Sequence, residues 1–120
     1  MAVRAVRGAT QVEADDRQQI LDATTELLQE VLARNALSPD DLISVVFTAT
    51  PDLTAEFPAY AARQMGLVDV PLLCTGEIAV PGAMPRVLRL LAHVETDRPR
   101  AEVRHVYLRG AATLRTDLPR

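Results

Sequence analysis

The stretch LLCTGEIAVPGAMPRVLRLL, residues 72–91, decides how this chain is read. Val70 to Cys74 is an apolar run with the composition of a strand, closed by a turn at Thr75-Gly76. After the Pro81-Gly82 break, Met84, Val87, Leu88, Leu91 and Val94 recur at helical spacing. That predicts a helix over 81–94 with Arg86, Arg89 and His93 together on its other side. By pattern alone that arginine side is a solvated stripe. Yet a thiol (Cys74), a carboxylate (Glu77) and two guanidiniums follow closely on a strand end, where mixed folds commonly set ligand sites. The segment is therefore the candidate pocket.

Working outward, residues 2–9 alternate as a strand and put Arg7 on the face of Val3, Ala5 and Ala9. A guanidinium there needs a partner, either an internal ion pair or a bound anion. Asp15 and Gln18 resemble a capping box. They open an amphipathic helix through Ile20, Leu21, Thr24, Leu27, Leu28, Val31 and Leu32, with Asn35 as its stop. Asp22, Glu26 and Glu30 form its solvated side. Ser38-Pro39-Asp40-Asp41 starts a short helical turn. Leu42 to Thr50, LISVVFTAT, is a near-continuous apolar and β-branched run, as in a central strand covered on both sides. Phe57-Pro58 leads into a helix over 59–65, stopped by Gly66. Val103 to Leu108 alternates as the last strand, with Val103, His105 and Tyr107 on one face. This order of elements gives an α/β (α+β) chain with a mixed β-sheet of four or five strands and helices packed on it.

The 120 residues suit a single domain, 1–120, with a core of its own. Apolar residues at 48% and charged residues at 24% exclude a disordered chain. No apolar run reaches the ~20 residues of a membrane span, and the N-terminus has no secretory apolar region, so the expectation is a soluble, cytoplasmic protein with no membrane partner. A lone cysteine excludes an internal disulfide framework, and two histidines without cysteine partners offer no metal-ligand spacing. The net charge of −3 hides an asymmetry: residues 1–60 hold four arginines against ten carboxylates, residues 61–120 nine against six. Every basic residue is arginine, the side chain suited to gripping carboxylates with two parallel hydrogen bonds. An aromatic content of 3%, with no stacking residues among the arginines, argues against nucleic acid. No glycine-rich phosphate loop and no nucleophile elbow is present, and nothing joins His93 or His105 to Cys74 as its base.

Taken together, VRGAT (6–10), TATPDLTAEFPA (48–59), PLLCTGE (71–77), PRVLRLL (85–91) and RHVYLRGAATLRTDL (104–118) resemble the monofunctional AroH-type chorismate mutases, in order and spacing over nearly the whole chain. The resemblance implies a homotrimer whose sheets form a pseudo-α/β-barrel, with active sites between neighbouring subunits. It implies rearrangement of chorismate to prephenate, toward phenylalanine and tyrosine, with no cofactor and no metal. Carried onto matching positions, Arg89 would donate to the ether oxygen, and Arg7 would hold a substrate carboxylate with help from Tyr107. Glu77 and the backbone and side chain of Cys74 would bind the ring hydroxyl, and Leu73 and Thr75 would line the pocket. Phe57 and Arg63 would come from the adjacent subunit, and Leu114 and Arg115 would help cover the mouth. Tyr60 stands where the family can carry a charged residue. Two other readings use similar groups: a non-catalytic sensor of an aromatic-pathway carboxylate, and a small trimeric imine deaminase.

Overall fold

A computed structural model describes residues 1–114. Strand β1 (Ala2–Gln11) runs into helix α1 (Arg17–Arg34), and a single 3-10 turn (Pro39–Asp41) leads to β2 (Leu42–Ala49). Helix α2 (Pro58–Gln64), β3 (Leu72–Gly76), β4 (Val87–Thr96), a second 3-10 turn (Arg100–Glu102), β5 (Val106–Tyr107) and a last 3-10 turn (Arg109–Thr113) follow. The strands form one mixed sheet in the order β3-β2-β4-β1-β5. Strand β4 lies antiparallel to both β1 and β2, and the two edge strands are parallel to their neighbours.

The expected helix over 81–94 is therefore corrected: Val87–Thr96 is the central strand of the sheet. Leucine, alanine and arginine favour helix locally, but pairing along both edges outweighs so weak a preference. Leu88, Leu90, Ala92 and Val94 point into the core, whereas Arg89, Leu91 and His93 share the other face. The apolar Leu91 on that second face broke the alternation that would have marked a strand. The last strand is also shorter than expected, with Val103 to His105 lying outside it.

Helix α1 begins one residue later than its cap was read. Asp16, not Asp15, accepts the N–H of Gln19 at 2.9 Å, and Gln19 Oε1 receives the N–H groups of Glu13 and Ala14. Asp15 is occupied elsewhere, as shown below. Ile20, Leu21, Ala23, Thr24, Leu27, Leu28, Val31 and Leu32 are buried along one side. Gly8 lets this helix approach β1 closely, since a Cβ there would lie 3.1 Å from Leu27 Cδ1. Asn35 stops the helix as expected. It is buried, donates from Nδ2 to Val31 O and Arg104 O, and accepts the Arg104 N–H at 2.8 Å, which pins the approach to β5.

Both helices cover the same side of the sheet, where Val6, Leu27, Leu28, Val31, Phe47, Ala62, Leu90 and Val106 join one core. Burying the valine, leucine and phenylalanine side chains among them contributes about 1.5–3 kcal/mol each. The opposite face carries Val3, Ala5 and Arg7 of β1, Arg89, Leu91 and His93 of β4, and Leu73 and Thr75 of β3. Val3 there is 59% exposed and Leu73 61%. Arg7 thus does share a face with Val3 and Ala5, but in one chain that face is open rather than buried.

Candidate active site

Sheet register assembles the site. Ala9 pairs with both Tyr107 and Arg89, and Thr48 pairs with both Arg89 and Thr75. One row across all five strands therefore runs Tyr107, Ala9, Arg89, Thr48, Thr75 on the open face, and Arg7 stands two residues along β1 from Ala9. Positions as far apart in sequence as 7, 48, 89 and 107 become neighbours because side chains two apart on a strand, and opposite across a ladder, share a face.

Arg89 depends on how the chain enters β4. Arg86 adopts φ 54, a left-handed conformation that non-glycine residues seldom hold without support. The support is present: Asp52 accepts the Arg86 N–H at 3.0 Å, and the Arg86 side chain donates from Nε to Val12 O. This fixes the phase of the strand so that Arg89 faces outward.

Glu77 follows β3 directly, its N–H donating to Ala49 O at 2.9 Å. One carboxylate oxygen accepts from the Thr48 hydroxyl. The other lies 3.4 Å from Arg89 Nε. That approach is an ion contact without hydrogen-bond geometry: among the described residues, the buried Arg89 Nε has no hydrogen-bond acceptor. A buried N–H left unmade costs about 1–3 kcal/mol, so this donor favours any acceptor brought to the open face beside it.

Arg7 is held from its backbone. Its N–H donates to His105 Nδ1 at 3.0 Å, so His105 offers Nδ1 as an acceptor there. Arg7 borders a hollow of about 420 Å³ with Arg4, His93, Arg100 and His105. Tyr107 is half-buried on β5, next to Ala9.

The other expected residues fall on different surfaces of the chain. Cys74 turns toward α2, where its Sγ accepts the Ala59 N–H at 3.4 Å, so its side chain is on the helical side while Leu73 and Thr75 face the open side. A hollow of about 430 Å³ lies beside it, between Cys74 to Gly76 and the Thr54–Pro58 segment. Phe57 stands on the rim of that hollow with 69% of its surface exposed. Arg63 is exposed on α2 near Leu67, Val68, Val70 and Leu72. Leu114 is half-buried after the last 3-10 turn, and Arg115 lies outside the described residues. Within one chain, then, Arg7, Glu77, Arg89 and Tyr107 share the open face, while Phe57 and Arg63 point to other boundaries.

Sequence reasoning missed Thr48, the hydroxyl that orients Glu77. Its signal was a polar side chain in the otherwise apolar run VVFTA, on the face of Ser44 and Val46.

A model of the family described as chorismate mutase type I matches residues 3–118. The chain belongs to the type I chorismate mutases. It is 53% identical over 117 residues to a chorismate mutase AroH of Thermus thermophilus, covering 97% of this chain and 96% of that protein. Identity to the chorismate mutase AroH of Bacillus subtilis is 41% over 119 residues, covering 98% and 94%. The structure of a chorismate mutase from Clostridium thermocellum superimposes with a TM-score of 0.90 at 44% identity, over 92% of this chain and 98% of the other. Among the described residues, no helix is long and apolar enough to cross a membrane.

Proposed function

We infer that this chorismate mutase converts chorismate to prephenate on the open face of its sheet, in the cytoplasmic synthesis of phenylalanine and tyrosine. The reaction is an intramolecular pericyclic rearrangement. One carbon–oxygen bond breaks as one carbon–carbon bond forms, and negative charge gathers on the ether oxygen as the old bond lengthens. No proton transfer or nucleophile is required, so the protein acts by holding the folded dianion and by stabilising that charge.

The observation that carries this reading is the Arg89 Nε–H, buried, without a hydrogen bond among the described residues, and set beside a carboxylate already fixed by Thr48. An ether oxygen placed there completes the donor, and the interaction strengthens as the oxygen becomes anionic. A group already aimed at developing charge needs no reorganisation during the reaction. Arg7 takes a substrate carboxylate, with Tyr107 beside it, and Glu77 takes the ring hydroxyl together with the backbone at Cys74. Leu73 and Thr75 line the same side.

The reading includes a homotrimer. Val3 and Leu73 are exposed on a sheet face that also presents Ala5, Val46 and Leu91, and an apolar sheet face of this kind calls for cover. Three copies closing these faces around a common axis would bury it. The Phe57 and Arg63 surfaces of one subunit would then meet the Arg7, Glu77 and Arg89 group of the next, with Leu114 and Arg115 over the mouth. Chorismate absorbance followed with the purified protein tests the activity. Loss of chorismate with formation of prephenate is expected; prephenate binding without turnover would select the sensor instead, and ammonia release from an imine substrate the deaminase.

A further inference from the structure

We propose that Asp15 is a positioning residue for the substrate cleft, acting with Glu56 to fasten the Thr54–Phe57 segment to the first turn of α1. Asp15 Oδ1 accepts the N–H groups of Thr54 and Ala55 at 2.9 and 3.0 Å, and Oδ2 accepts the Thr54 hydroxyl at 2.9 Å. Glu56 forms a second fastening. Its Oε1 accepts from Arg17 Nε at 2.9 Å, and its Oε2 accepts the Phe57 N–H at 2.9 Å. The Arg17 guanidinium also stands over the Tyr60 ring, 5.5 Å from its centroid, so α2 is held to the same turn.

The segment has little else to fix it. Leu53 is buried against Val12, Ile20, Ala23 and Leu88, but Thr54, Ala55 and Phe57 are exposed. Three of its backbone donors, those of Thr54, Ala55 and Phe57, thus rest on two carboxylates rather than on a ladder or helix. The other end of each fastening is rigid, because α1 is capped by Asp16 and buried along Ile20, Leu21 and Ala23. Carboxylates accepting backbone N–H groups make the stronger class of hydrogen bond. What they position is one wall of the hollow that faces Cys74, Thr75 and Gly76, with Phe57 at its rim.

The proposal deepens the chorismate mutase reading and rests on it. A wall that meets substrate away from the breaking bond interacts alike with substrate and transition state, so loosening it raises KM and leaves kcat in place. Asp15→Ala is expected to raise KM for chorismate about tenfold with kcat changed less than about twofold. Asp15→Asn keeps an oxygen for the two N–H groups and should recover most of that loss. Glu56→Ala should shift KM in the same direction, independently of whether Asp15→Ala folds. In the parent protein, the Thr54, Ala55 and Phe57 amides should exchange with solvent deuterium more slowly than unbonded loop amides. Asp15→Ala should release the first two while those of β2 stay protected.

A KM within twofold of the parent in folded Asp15→Ala and Glu56→Ala would overturn the proposal. So would an equal fall in kcat and kcat/KM, Asn no better than Ala, or free exchange of the three amides in the parent. A parent protein that leaves chorismate unchanged would sink the functional reading instead, and the exchange measurement would still judge the fastening.

Discussion

Arg89 Nε stands 3.4 Å from Glu77 Oε1, a contact that joins the start of the central strand to the residue following β3. The Arg89 side chain is 41% exposed, so solvent screens the attraction, and pairs of this kind contribute little to stability. Its consequence is orientation: the carboxylate lies beside the guanidinium on the open face, while the buried Nε–H has no hydrogen-bond acceptor among the described residues. Arg89→Ala should therefore fold as the parent does and lose at least ~10²-fold in kcat, about 2.7 kcal/mol. Arg89→Lys should also be poor, because an ammonium cannot reproduce the planar fork. Steady-state kinetics and circular dichroism on the three proteins together check both halves of the expectation.

Glu77 is held from both sides, by the Thr48 hydroxyl and by Arg89. Removing one partner of a hydrogen bond to a charged group costs roughly 1.5–3 kcal/mol, which is roughly 10- to 100-fold in rate. Glu77→Ala should fall in that range for kcat/KM. Glu77→Gln retains an acceptor for Thr48 but not the charge beside Arg89, and should lie between the alanine variant and the parent. Thr48→Val should lower kcat/KM less than either, since Arg89 still holds the carboxylate.

Much of the fold was legible from the residues alone, whereas the site residues came from the family resemblance, and the places where the pattern failed have physical causes. The strand at Leu42 and the helix ending at Asn35 could be read because their patterns are local: a β-branched run, and an apolar stripe with a polar stop. Residues 87–96 could not, because their strand state is imposed by β1 and β2, each more than thirty positions away in sequence. Arg89 consequently looked like part of a solvated helix side together with Arg86, whereas the strand separates them and places Arg89 in a row with Thr48 and Tyr107. The pattern alone assigns the cap to Asp15, because one aspartate beside another carries no sign of which caps the helix. Only the fold brings Thr54 and Ala55 to it.

His105 Nδ1 accepts the N–H of Arg7, a side chain serving where β5 has not yet begun to pair with β1. His105→Asn, whose oxygen can accept at a similar reach, should keep more activity than His105→Ala, in which the Arg7 N–H loses its partner. The alanine variant should lose about 3- to 10-fold in kcat/KM, the range of a net hydrogen bond of ~1 kcal/mol. Equal activity in the two variants would remove His105 from any part in placing Arg7.

Asp15 makes stability depend on pH in a fixed direction. Its carboxyl is held below the ordinary value of 3.8, first by the Thr54 N–H, then by the Thr54 hydroxyl, with the Ala55 N–H adding to both. A depressed value in the folded chain means that the ionised form is the one stabilised. That stabilisation is fully present above pH 3.8 and disappears as the pH falls through the lower folded value. Urea midpoints of the parent and Asp15→Ala should therefore differ near neutrality and converge on acidification. A gap that stayed constant to pH 2 would mean the carboxylate hydrogen bonds are not its source.

Leu91 lies at the centre of the open face, paired with Arg7 on one side and Val46 on the other. In a single chain a glutamate there is half-exposed and inexpensive, since the core beneath is formed by Leu90 and Ala92. In a trimer closed over these faces it would be three carboxylates confined in apolar surroundings, each with a desolvation penalty of several kcal/mol. If three copies close over this face as proposed, Leu91→Glu should sediment as a folded monomer while the parent sediments as a trimer, and its activity should collapse with the assembly. Val3→Thr, a mild change at the exposed edge of the same face, should leave both assembly and activity close to the parent. If Leu91→Glu instead remained assembled and active, subunits would not meet through this face, and Phe57 and Arg63 would have no route from a neighbouring chain to Arg89.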